Sequence, residues 1–195
     1  MSIPKTAKGL SNRITKIRSQ LSAFKREYGF IDDGAGARYY LFYLYFLLAD
    51  NRRSSEFLRC FEKEFPDDSG EPFQLLCWAL ILNRMGKNGE YQLARTMLSN
   101  IYLIPSLLGF GVEREVMSHL SNWAEPDFIE YFPERVQENI TEEDLSWIHE
   151  RYHSDSFQKI LNRHIEINHE LESTPRGEKR SALVKELSNL VDTIG

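Results

Sequence analysis

His149-Glu150-Arg151-Tyr152-His153 satisfies the pattern His-Glu-x-x-His. On an α-helix, residues four apart share a face. Two imidazoles at that spacing can bind one zinc ion while the glutamate activates a water. The chemistry implied is metal-assisted hydrolysis, with His149 and His153 as ligands and Glu150 as general base. Three features of the surrounding sequence oppose it. Arg151 puts a charge at a position that zinc peptidases usually leave uncharged. Ser154-Asp155-Ser156 breaks the helix directly after His153, whereas a zinc helix normally sits rigidly in a core. A third ligand has no clear identity, since His164, Glu166, His169 and Glu170 lie downstream but none stands at the metzincin spacing. The two histidines therefore read as exposed residues of an amphipathic helix, and neither a catalytic residue nor a metal or other cofactor is expected.

The other constellations are weaker. Asp32-Asp33-Gly34-Ala35-Gly36 pairs glycines with carboxylates, but no Lys-Ser/Thr follows and no strand precedes, so a phosphate loop is not implied. It reads as a loop that brings Asp32 and Asp33 to the positive end of the next helix. Glu62, Glu64, Asp67 and Asp68 read as a solvated face, and His164 and His169, five apart, do not share a helical face. Cys60 and Cys77 lie in apolar helical patterns without a CxxC spacing, which predicts two reduced core thiols and a cytoplasmic protein.

The elements that must position these groups are helical. Tyr39 to Leu48 reads Tyr-Tyr-Leu-Phe-Tyr-Leu-Tyr-Phe-Leu-Leu, apolar or aromatic all round and too short to span a bilayer. Such a segment belongs at the centre of a helical protein. Before it, Leu10, Ile14, Ile17, Leu21, Phe24 and Tyr28 form one narrow seam of a helix ended by Gly29. After it, residues 51–54 turn the chain, and Phe57, Leu58, Phe61 and Phe65 define a helix ended by Pro66. Leu75, Leu76, Trp78, Ala79, Leu82 and Met85 define the next, stopped at Gly86-Lys87-Asn88-Gly89. Tyr91, Ala94, Leu98 and Ile101 give a fourth, closed by Pro105.

Trp78, Ile81, Met85, Gly89, Tyr91, Ala94, Leu98 and Pro105 together resemble a tetratricopeptide repeat, and Leu41, Tyr45, Ser54, Leu58 and Pro66 fall on the same pattern one unit earlier. The resemblance covers residues 37–105. It implies helical hairpins stacked side by side, with Leu41, Tyr45, Leu58, Trp78, Ala94 and Leu98 as packing positions. Small Ala94 and Ser54 would lie where paired helices cross most closely. A concave face of the first helices would then take a peptide or helix of a partner. The sequence departs from the family at Phe42, Leu82 and Phe61, which stand where it has small residues.

The second half is helical without visible repetition. The spacing predicts one helix over 113–123 with Val116 and Leu120 inward, and a short one from Pro126 with Phe128, Ile129, Tyr131 and Phe132. Thr141 caps a third, Ser154 a fourth, and Leu183, Leu187, Leu190 and Val191 mark the last. The fold class is thus all-α: one domain over 1–195, with a basic N-terminal helix (1–29), repeat-like hairpins (37–105) and C-terminal helices (106–195).

Charge refines the partner. The chain of 195 residues carries −5, which disfavours nonspecific nucleic-acid binding. Residues 1–30 hold +6 and the remainder −11, so a basic helix docking on an acidic body is expected. The first helix opens on Met1-Ser2-Ile3-Pro4-Lys5, without an apolar leader. The expectation is a cytoplasmic, non-catalytic interaction module that binds another protein or peptide, with no membrane span. The alternatives are a small zinc hydrolase at 149–153 and a structural homo-oligomer joined through the first helix.

Overall fold

The computed structural model describes residues 2–31, 33, 36–115 and 121–194, and among these no strand occurs. Helix α1 (Ala7–Tyr28) starts at Thr6, whose hydroxyl accepts from Gly9 N, and ends at Gly29 with φ 80°. It lies along α2 (Ala37–Leu48), burying Leu10, Ile14 and Ile17. Both Asp33 carboxylate oxygens receive the first free backbone N–H groups of α2, from Ala37 (2.7 Å) and Arg38 (2.6 Å). Its expected neighbour in that role, Asp32, lies outside the described residues.

All four tyrosines of α2 find a partner for the hydroxyl, which is what lets an aromatic run sit in a core. Tyr39 donates to Asp68, Tyr40 to the carbonyl of Ser2 and Tyr43 to Glu71, while Tyr45 accepts from Arg18. The chain then turns within two residues. Ala49 adopts the left-handed region (φ 52°) and Asp50 caps α3 (Asn51–Glu64) by accepting from Arg53 N. Residues 51–54, expected as the turn, are thus already helical, because the aspartate before them supplies the cap. Phe57 and Phe61 of α3 reach back to Phe42 at 4.8 Å between ring centroids, and Tyr45 stacks on Phe57 at 4.4 Å.

Helix α4 (Pro72–Arg84) has a claim to the centre equal to that of α2, because every residue from Pro72 to Ile81 is buried. Glu71 and Gln74 form a reciprocal capping box at its start, and Pro72 occupies the first helical position. It packs against α2 and, most closely, against α5 (Glu90–Ser99). The approach is tight at Gly89, where an added Cβ would come to 2.5 Å from the carbonyl oxygen of Ala79. Only glycine permits the chain to pass the α4 backbone there.

Pro105 does not close α5, which ends at Ser99 with Asn100 as its cap. It lies in the first turn of a short α6 (Leu103–Leu107), where its missing N–H costs nothing. From Gly111 to Glu115 the chain is irregular, so the helix expected over 113–123 does not begin at Glu113. Arg114 instead pairs with Glu125, and Tyr102 binds the backbone N–H of Glu115 at 2.9 Å. Val116 and Leu120 lie outside the described residues. Two 3₁₀ turns, Asn122–Ala124 and Pro126–Tyr131, follow. They are held by the Asn100 amide, which donates to the carbonyls of Trp123 and Glu125, and by Phe73 stacked on Phe128 and Phe132. A short α7 (Glu134–Gln137) leads to α8 (Glu142–Tyr152), α9 (Asp155–Ser173) and α10 (Glu178–Asn189). A last 3₁₀ turn, Leu190–Ile194, returns to α5. One apolar cluster runs from Leu10 to Ile194, and Ile167, Leu183 and Leu190 form a smaller one. Among the described residues no helix is long and apolar enough to cross a membrane.

Candidate functional site

Helix α8 presents the His-Glu-x-x-His residues on a well-anchored frame. Thr141 and Asp144 cap its start reciprocally, while Ile148 and Tyr152 face the core. Arg84 at the end of α4 clamps Asp144 through Nε (3.1 Å) and Nη2 (2.5 Å), and its guanidinium lies 4.3 Å over the Phe46 ring. Burial alone raises the Asp144 pKa, but the bonds from Arg84 and Thr141 win and hold it below the usual carboxylate value.

The chemistry-bearing side chains point away from that frame. His149 and His153 are exposed, with ring centroids 4.4 Å apart. The helix ends at Tyr152, so His153 occupies the cap position, packed beside Phe110 and Tyr152. Glu150 is bound by Arg151 at 2.7 Å, and Arg151 also reaches Glu90 at 3.1 Å. Among the described residues no three His, Cys, Asp or Glu side chains stand close enough to hold a metal ion. His169 is engaged with Glu115 at 3.3 Å.

His164 is different in kind. It is buried on α9, its Nδ1 has no hydrogen-bond partner, and burial pushes its pKa down to about 4. The folded value lies below the ordinary one near 6.5, so the ring is neutral in both states above that pH and stability is flat there. As the pH falls from 6.5 towards 4, the unfolded chain takes up a proton that the folded chain refuses. Stability should then drop by up to about 3 kcal/mol, and His164→Leu should flatten that segment of a melting-temperature profile against pH.

The packing positions are brought together as a core and not as a surface. Leu41, Tyr45, Leu58, Trp78 and Ala94 are buried, and Leu98 is half-buried between the two apolar clusters. Trp78 lies 5.2 Å from the Phe42 ring and 5.4 Å from Phe61. Ala94 stands in the close α4–α5 pairing. Between α2 and α3 the aromatic rings of Phe42, Tyr45, Phe57 and Phe61 intervene instead, so Ser54, though buried, does not mark an equally close crossing.

A groove that the sequence did not announce lies between α1 and α3, with α2 as its floor. It deepens into a pocket of about 80 Å³ lined by Leu21, Ile31, Leu41, Phe57, Phe61 and Phe65, with Arg18, Arg38, Cys60 and Glu64 at its edges. A second recess of about 310 Å³ continues along the same two helices past Ile14, Arg18 and Arg53. Straps cross it at either end: Arg53 donates to Ser11 Oγ at 2.8 Å, and Lys25 pairs with Glu64. Cys60, expected in the core, is exposed at this rim because it falls on the solvent side of the Phe57–Phe61 stripe. Cys77 is buried as expected, and burial pushes its thiol pKa well up. The exposed rings of Tyr28 and Phe30 flank Phe24 just beyond the Lys25 end.

In comparison with known proteins, no protein-family model, no curated protein and no solved structure matches the chain.

Proposed function

We propose that the chain is a non-catalytic, cytoplasmic interaction module that holds a segment of another protein. The observation that carries this reading is the α1–α3 groove, an apolar pocket open at the surface between two helices and rimmed by charge. Pockets of that make fix a partner through one buried anchor and a polar surround. The stacked-hairpin likeness to tetratricopeptide proteins fits the close α4–α5 pair, and the reading does not depend on it. The alternative, a zinc hydrolase at His149, Glu150 and His153, has less support. Its two histidines are exposed at a helix end and its glutamate is bound by Arg151.

Cys60 supplies the test. An exposed thiol reacts readily while a buried one with a raised pKa is inert, so a maleimide should label the native chain at Cys60 alone, with Cys77 reacting only after denaturation. A benzophenone maleimide placed there should photo-cross-link a discrete partner in native extract, and not in extract pre-incubated with excess unlabelled protein. Stoichiometric zinc in the purified chain, lost in His149→Ala, would overturn the reading in favour of the hydrolase.

A further inference from the structure

The groove between α1 and α3 also selects what can lie in it. We infer that its occupant is an acidic segment of a partner protein, anchored by one branched aliphatic side chain; this rests on the interaction-module reading above. The anchor follows from size. An apolar cavity of roughly 150 Å³ takes up benzene, and the pocket here measures about 80 Å³. That suits a leucine or isoleucine side chain better than a ring. Its walls (Leu21, Leu41, Phe57, Phe61) carry no polar group that would need a partner from the ligand.

The acidity follows from the charges left over. Arg38 is already bracketed by Asp33 and Asp68, and Lys25 is paired with Glu64, the one carboxylate among the described residues that lines the groove. Among the described residues Arg18, which also donates to Tyr45, has no carboxylate within ion-pair distance, nor do Arg53 and Arg26. Arg18 on α1 and Arg53 on α3 thus line the groove without an acid among the described residues, and Arg26 does so in the adjoining recess with Ser22 and Lys25. From the Ser11 strap to the Lys25 strap α1 rises roughly 20 Å, enough for about six extended residues. A long polyanion such as a nucleic acid strand meets a chain whose residues 31–195 sum to −11, a repulsive surround for it beyond the groove. A short acidic peptide meets only the groove. The walls come from α1 (Leu21) and α3 (Phe57, Phe61), with Leu41 of α2 as the floor.

Panning a phage-displayed random-peptide library on the intact chain tests this. The enriched sequences should carry Asp and Glu around a single Leu, Ile or Val. Fluorescein-labelled copies should bind at least tenfold more weakly to the chain alkylated at Cys60 with N-ethylmaleimide. Arg26→Glu, at an exposed site where folding is not at stake, should weaken binding several-fold, and so should raising salt from about 0.1 M to about 0.5 M. Enrichment of basic or uncharged peptides whose binding alkylation blocks would overturn the acidic partner while leaving the module intact. Peptides indifferent to alkylation, with an oligouridylate strand or phosphatidylserine vesicles binding in an alkylation-sensitive way, would overturn both.

Discussion

Leu44→Asp should leave no folded protein. The side chain is fully buried in α2, between helices that cover it on every side, with Phe42, Tyr45 and Phe46 of the same helix equally enclosed. A carboxylate there loses its water and gains no cation. Of the arginines that touch α2, Arg38 is paired with Asp33 and Asp68, Arg84 is paired with Asp144, and Arg18 reaches only the Tyr45 hydroxyl. Burying an unpaired charge costs many kcal/mol before the group protonates, and even as a neutral acid it costs several. A domain of this size commonly has about 5–15 kcal/mol to lose. The expected result is insoluble protein, or soluble protein without a cooperative melt. The same change at Leu47, half-buried at the end of α2, should be milder. An unchanged melting temperature for Leu44→Asp would remove α2 from the centre of the fold.

That helix was legible because an unbroken apolar run has one physical solution, enclosure. The all-helical class, the caps at Thr141 and Ser154, and the seam of α1 were legible for similar reasons, since each is a local pattern with a local cause. Where the cause was not local, the sequence misled. Cys60 sits in an apolar-looking stretch, yet a residue's side of a helix depends on which stripe the rest of the molecule covers, and here Phe57, Leu58 and Phe61 took the inside. Pro105 looks like a terminator, but a proline is equally at home in a first turn, and only the early end of α5 at Asn100 decides between them. The groove left even less trace. It is made where two helices that are not neighbours in sequence fail to touch over part of their length, and no spacing within either records that. A signal was nonetheless present in the charge: seven basic residues in α1 and its approach against one acid require a destination.

The sequence offered an acidic body as that destination, with the apolar seam contributing most of the energy, and α1 does lie along α2 through that seam. Among the described residues only Lys25, pairing with Glu64, joins α1 to the body through an ion pair, while Lys8 and Lys16 stand exposed. What holds α1 is its seam. Leu10, Ile14 and Ile17 are buried, and Leu21 and Phe24 are half-buried. Three enclosed aliphatic side chains at about 1.5–3 kcal/mol each contribute of the order of 5–8 kcal/mol, an upper estimate because unfolded chains already bury some surface. An exposed ion pair contributes about 0–1 kcal/mol. Ile14→Asp should therefore destabilise the protein by several kcal/mol, as a charge placed against α2 must. Lys16→Glu, two residues away on the outer face, should move the melting temperature by no more than a degree or two. Deleting residues 1–28 should expose Leu41, Tyr45 and the apolar side of α2, and the truncated chain should aggregate or lose its cooperative transition. Added salt should barely change the melting temperature of the intact chain, since burial and not charge makes the attachment. A stable, monomeric truncated chain, or equal effects of Ile14→Asp and Lys16→Glu, would show that α1 is not docked in solution, and the groove it shares with α3 would go with it.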